Sequence, residues 1–260
     1  MAYEFLQLAM EDGMATVTLN RPDVLNALNA AMLRELDELF AALQADAEVR
    51  VVLLRGAGDR AFAAGADIRE FAALDAAAGE QMAARVQRIF RRIETLGKPV
   101  IACIQGYAVG GGCELALACT LRLAADNARL GQPEIKLGII PGYGGSQRLP
   151  RLVGAGAALK MILTGEPIDA AEAWRIGLVD EVVVAAELMV RANELATRIA
   201  AMPPLAVTAA LEAVSQGADL PLDQALALET AIFGRLCGTE DQREGTRAFL
   251  EKRAPTWTGR

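Results

Sequence analysis

The stretch GYAVGGGCELALAC, residues 106–119, limits what this chain can fold into more than any other segment. An apolar, β-branched run leads into three consecutive glycines, Gly110, Gly111 and Gly112. An apolar segment that reads as a buried helix follows at once. Inside it sits one carboxylate, Glu114. The segment must therefore form a buried strand, a tight turn and a buried helix, with an acid in the helix's first turn.

The rest of the chain supplies similar pieces. YEFLQLAMEDGMATVTLN predicts a β-hairpin turning at Glu11, Asp12 and Gly13. Met32, Leu36, Leu39, Phe40 and Leu43 recur at helical spacing behind Asn29, a suitable N-cap. A buried strand is expected over 49–56, then a loop over 59–71 running into a helix. An amphipathic helix over 79–97 is stopped by Lys98-Pro99. One central strand is expected over 100–109, a strand and turn over 121–131, and a loop leading to a helix from about Gly145. Further helices are expected over 156–164, 169–176, 186–201, 204–217, 221–236 and 239–251, with a short strand over 178–183. Alternating strands and helices followed by helices alone predict an α/β core with an α-helical C-terminal part. A strand–strand–helix unit recurs weakly, without a fixed period.

Composition removes many functions. The chain has no histidine, which excludes Ser-His-Asp and Cys-His hydrolases, His-ligated metals and imidazole acid–base catalysis. Proton transfer must use Glu, Asp, Lys, Tyr, Cys or water. Cys103, Cys113, Cys119 and Cys237 form no C-x-x-C pair and read as reduced thiols. Net charge is −7, which speaks against a general nucleic-acid binder. No run of about 18 apolar residues occurs, so no membrane span is expected. The N-terminus lacks the basic region of a signal or transit peptide, which predicts a cytoplasmic protein.

The glycines are not those of a nucleotide site. Neither G-x-x-x-x-G-K-[ST] nor G-x-G-x-x-G occurs. Gly110 to Gly112 instead open a helix whose first N–H groups have no partner, and glycine lets a ligand approach them closely. That is an anion or oxyanion site. FAAGAD, residues 62–67, makes a second such place, with Asp67 able to cap a helix starting near Ile68.

Six motifs taken in order are similar to the enoyl-CoA hydratase/isomerase (crotonase) superfamily. They are NRPDVLNALN (20–29), AFAAGADIREF (61–71), KPVIACIQGYAVGGGCELALAC (98–119), LGQPEIKLGIIPGYGGSQRLPRLVG (130–154), LTGEPIDAAEAWRIGLVDEVV (163–183) and TEDQREGTRAFLEKRAP (239–255). Nearly the whole chain is covered, and the closest look is to short-chain enoyl-CoA hydratases. The resemblance implies the ClpP/crotonase fold, a spiral of ββα units over 1–200 with a helical oligomerisation region over 201–260. It implies a homotrimer or homohexamer, an acyl-CoA substrate, and no cofactor or metal. The oxyanion hole would be the N–H groups of Ala66 and Gly111. The two catalytic carboxylates would be Glu114 and Glu134, and the Gly142 N–H would hold one of them. Ala27, Leu28, Ala64, Asp67 and Ile68 would meet substrate or CoA, and Phe233 and Lys252 would reach the CoA of a neighbouring subunit. Tyr143, flanked by glycines, reads as a pocket residue, where many relatives have Ala. Asp23 stands where a basic residue is common, and Thr120 where Asp is often seen.

The chemistry suits a chain without histidine. Water adds to Cβ of a 2-enoyl thioester while negative charge gathers on the thioester oxygen. Two fixed N–H groups stabilise that charge, and two carboxyl groups across one water exchange the protons. A Δ3,Δ2-isomerase or a lyase-type hydratase is the enzymatic alternative, and keeping both glutamates favours hydration. It also argues against an RNA-binding or scaffold role. The implied pathway is fatty-acid or aromatic-acid (phenylacetate-type, 2,3-dehydroadipyl-CoA) catabolism.

Overall fold

The computed structural model describes residues 3–72 and 74–260. Strands β1 (Leu6–Glu11) and β2 (Met14–Leu19) pair antiparallel around Asp12 and Gly13. Both turn residues have positive φ, 47° and 76°, as a two-residue type I′ turn requires. Helix α1 (Ala30–Ala45) starts at Asn29, whose side chain accepts from Met32 N–H at 2.8 Å.

The next stretch repeats one unit three times. β3 (Val51–Gly56), β4 (Ala61–Ala63) and α2 (Ala76–Glu94) form the first copy. β5 (Val100–Ile104), β6 (Tyr107–Val109) and α3 (Gly111–Leu117) form the second. β7 (Leu121–Ala125), β8 (Arg129–Gly131), a 3-10 helix at Pro133–Leu137 and α4 (Gly145–Thr164) form the third. The first strands of each copy lie side by side and parallel in one sheet, and the second strands in another. β9 (Ile168–Asp169) joins the second sheet, giving the order β4-β6-β8-β9. After α5 (Ala170–Arg175), β10 (Glu181–Val183) closes the first, giving β1-β2-β3-β5-β7-β10.

Two expectations are corrected. Residues 100–109 are not one strand: the chain turns at Gly106 and passes from the first sheet to the second. Gly106 has φ 56°, and a Cβ there would lie 2.0 Å from the Arg60 carbonyl oxygen, so only glycine fits the corner. Residues 59–71 are not all loop, because Ala61–Ala63 forms β4 beside β6.

Buried strands alternate their side chains between two packed layers. Val52 and Leu54 of β3 face the main core with Phe40, Phe62 and Phe90. Val51 and Leu53 face Leu188, Ala192 and Ala196 of α6 (Leu188–Ala200). Cys103, Cys113 and Cys119 are buried, and burial pushes all three thiols up to about 12. Helix α4 is broken at Gly154 (φ 78°, ψ 158°).

The chain ends in α7 (Pro204–Gly217), α8 (Leu222–Cys237) and α9 (Glu240–Glu251). Hydrogen bonds from Thr208 to the Gly97 carbonyl and from Arg50 to the Met202 carbonyl tie this region to the core. Phe233, Phe249, Leu250 and Leu222 remain exposed on it.

Candidate active site

The second strand of each unit ends at one cavity of about 670 Å³. Residues following β4 and β6 bring Ala64 to Ala66 and Gly110 and Gly111 to its wall, and the 3-10 helix after β8 brings Glu134. Ile68, Phe71, Met82, Ile139 and Tyr143 give it an apolar side.

The glycines place α3 against β4. A Cβ at Gly112 would fall 1.9 Å from the Ala63 carbonyl oxygen, so no larger residue fits. Gly110 takes φ 52° to turn the chain from β6 into the helix. Gly111 is the first helical residue, so its N–H has no partner within the helix. Ala66 forms a parallel bridge with Leu28 through Leu28 N–H to Gly65 O and Asp67 N–H to Leu28 O. That pattern leaves the Ala66 N–H outside the ladder. A methyl on Gly111 would lie 3.4 Å from the Ala66 nitrogen, so the two backbone groups border the same small space.

Glu114 is 1 % exposed. Its Oε1 accepts from Tyr143 N–H and from Gly145 N–H, each at 2.7 Å. The expected donor, Gly142, is not one of them; its carbonyl instead accepts from Gln87 at 2.8 Å. Both bonds fall on one oxygen, and Oε2 receives none from the described residues. Burial pushes Glu114 up to about 7, and the Glu134 charge adds to this. The two N–H groups and Arg148 oppose it. Glu134 is 9 % exposed, and burial pushes it up to about 7 as well. Its Oε1 lies 3.0 Å from the position a Gly110 Cβ would take, which sets it beside the glycine turn.

Tyr143 lines the cavity. Its ring stacks edge-on with Phe90 at 6.0 Å, and its hydroxyl lies 3.9 Å from the Met82 sulfur. Ala64 and Ile68 also border the cavity. Ala27, Leu28, Asp67, Phe233 and Lys252 do not. Asp67 accepts from the Arg69 N–H and pairs with the guanidinium groups of Arg69 (2.7 Å) and Arg21 (3.2 Å), which hold its carboxyl far below the usual range. Thr120 accepts from Val100 N–H and acts structurally.

Two residues escaped the sequence reading. Gln132 is fully buried, and its amide, turned to donate, reaches both Glu134 oxygens at 3.2 Å. A polar residue beside Glu134 in a buried segment was the available signal. Arg148 lies in the first turn of α4, where a cation opposes the helix dipole and needs a local partner.

An α/β spiral of ββα units with two buried carboxyl groups and two open N–H groups defines a crotonase-type protein. The enoyl-CoA hydratase/isomerase family model matches residues 9–260, and the chain belongs to that family. It is 48% identical to the short-chain-enoyl-CoA hydratase of Clostridium acetobutylicum, over 95% of this chain and 94% of that one. It is 46% identical to the crotonyl-CoA hydratase of Syntrophomonas wolfei, over 97% of each. The crystal structure of an enoyl-CoA hydratase from Bacillus anthracis superposes with a TM-score of 0.95 at 41% identity, covering 99% of this chain and 100% of that one.

Proposed function

We propose that this protein hydrates short-chain 2-enoyl-CoA thioesters to 3-hydroxyacyl-CoA. The carrying observation is that Glu114, Glu134 and the N–H groups of Ala66 and Gly111 open on one largely apolar cavity. The thioester oxygen lies between the two N–H groups. Glu114, anchored through Oε1, takes a proton from water with its free oxygen as the hydroxyl adds to Cβ. The double-bond electrons move towards the thioester oxygen. Glu134 then delivers a proton to Cα. The net change is the addition of one water, with no oxidant, reductant or metal required. Each N–H is worth about 3–4 kcal/mol to such a step. The names of the two relatives support the short-chain assignment.

The same reading makes residues 201–260 an oligomerisation region, with Phe233 and Lys252 serving a neighbouring subunit's CoA. The exposed Phe233, Phe249 and Leu250 support this. The mass of the protein in solution tests it: a trimer or hexamer agrees, and a monomer does not. Loss of enoyl-thioester absorbance with crotonyl-CoA tests the activity, and an inert protein would end the proposal.

A further inference from the structure

The backbone of Tyr143 links two groups that the reaction itself does not join. Its N–H donates to Glu114 Oε1 at 2.7 Å, and its carbonyl accepts from Arg148 Nη1 at 3.2 Å. Arg148 is held from behind by α2: its Nε and Nη2 donate to the two Glu94 oxygens at 3.2 and 3.1 Å. Arg91 donates to Glu94 at 2.7 Å. The Arg148 side chain is only 15 % exposed. A Cβ at Gly144 would lie 2.1 Å from Arg148 Nη1, so the guanidinium rests directly against this turn. Gly144 also takes φ 112°.

We propose that Arg148, oriented by Glu94, is a positioning residue that fixes the 143–145 turn and thereby aims the Glu114 carboxylate. This rests on Glu114 acting as proposed above. A planar, bidentate fork suits the task, because it fixes direction as well as charge. The charged and titratable groups around Glu114 are Glu134 from the 3-10 helix, Tyr143 and Arg148 from the turn and α4, and Cys113 from its own helix. Behind Arg148 stand Glu94 and Arg91. The positive charge of Arg148 favours ionised Glu114, and the negative charge of Glu94, paired with Arg148, opposes it at one remove.

The test is the pH dependence of kcat/KM for crotonyl-CoA hydration by the full-length protein. Arg148→Gln should lower kcat by about tenfold or more, with KM within about threefold. Its acid limb should move up by about half a pH unit. Glu94→Gln should move the acid limb the opposite way, because Arg148 loses its counter-charge. Arg148→Lys should keep the limb in place and still lose kcat, since the charge remains but the fork does not. An Arg148→Gln enzyme with wild-type kcat and acid limb overturns the inference. If that variant does not fold, an unmoved acid limb in Glu94→Gln overturns it instead. Absence of hydration by the wild-type protein overturns the hydratase reading and this inference with it, whereas hydration with unmoved limbs overturns this inference alone.

Discussion

Gly145 donates its N–H to Glu114 Oε1 at 2.7 Å, on the same oxygen that Tyr143 N–H already holds. The carboxylate is therefore pinned by one oxygen and leaves the other for water. Glutamine at this position keeps an acceptor for both N–H groups and loses only the ability to take a proton. Glu114→Gln should fold like the wild type and lose about 10²–10⁴ in kcat, with little change in KM. Steady-state kinetics beside a circular dichroism melt check this; near wild-type turnover refutes it.

Both carboxyl groups are pushed up to about 7 by burial, so activity should peak close to neutrality. Below that, protonation removes the base; above it, the proton donor is lost. The two limbs belong to the coupled pair rather than to one residue each. A kcat/KM profile flat from pH 5 to pH 9 contradicts the arrangement.

The same shifts bear on stability. Glu134 holds its proton more tightly folded than unfolded, against an ordinary value of 4.5. Its protonated form contributes stability at low pH, and that contribution is lost as pH rises through about 7. Glu134→Gln cannot ionise, so it should melt higher than wild type at pH 8, by about 2–4 °C, and lose that advantage by pH 5. Melting curves at the two pH values decide, and an advantage confined to pH 5 has the wrong sign.

Gly111→Ala separates packing from chemistry. The added methyl would lie 3.0 Å from the Tyr143 ring and 3.4 Å from the Ala66 nitrogen. Tyr143→Ala should relieve the first contact and recover stability. It should not recover activity, because the methyl still covers the Ala66 N–H, and losing such a donor costs about 3–4 kcal/mol. Full recovery of turnover in the double variant argues against the oxyanion role.

Gly112 and Gly156 make a stability contrast. A Cβ at Gly112 meets the Ala63 carbonyl at 1.9 Å, whereas at Gly156 nothing lies within 4 Å. Gly112→Ala should yield little folded protein. Gly156→Ala, within α4, should be neutral or stabilising by up to about 1 kcal/mol. Soluble yield and denaturant midpoints measure both.

Much of this was legible because it is local. Asn29 before an amphipathic run, Asp12-Gly13 between alternating strands, and Gly110 to Gly112 before Glu114 each carry their reason in neighbouring residues. The corner at Gly106 was not legible, because what forbids a side chain there is the carbonyl of Arg60, 46 residues earlier. β4 has three residues, too few for a strand's period to show. The resemblance gave the site's members, but not which peptides grip Glu114. In the glycine-rich turn after Pro141 the direction of each N–H depends on backbone angles that no residue type reveals. Arg148 was missed because its partner Glu94 lies 54 residues away, on another helix.

The most direct test is crotonyl-CoA hydration in water enriched in oxygen-18, with the product weighed by mass spectrometry. The wild-type protein should consume crotonyl-CoA and place the heavy oxygen in the Cβ hydroxyl of 3-hydroxybutyryl-CoA. The Glu114→Gln, Glu134→Gln double variant should leave the substrate unchanged on the same timescale. Crotonyl-CoA untouched by the wild type, or hydrated equally fast by the double variant, would contradict the account.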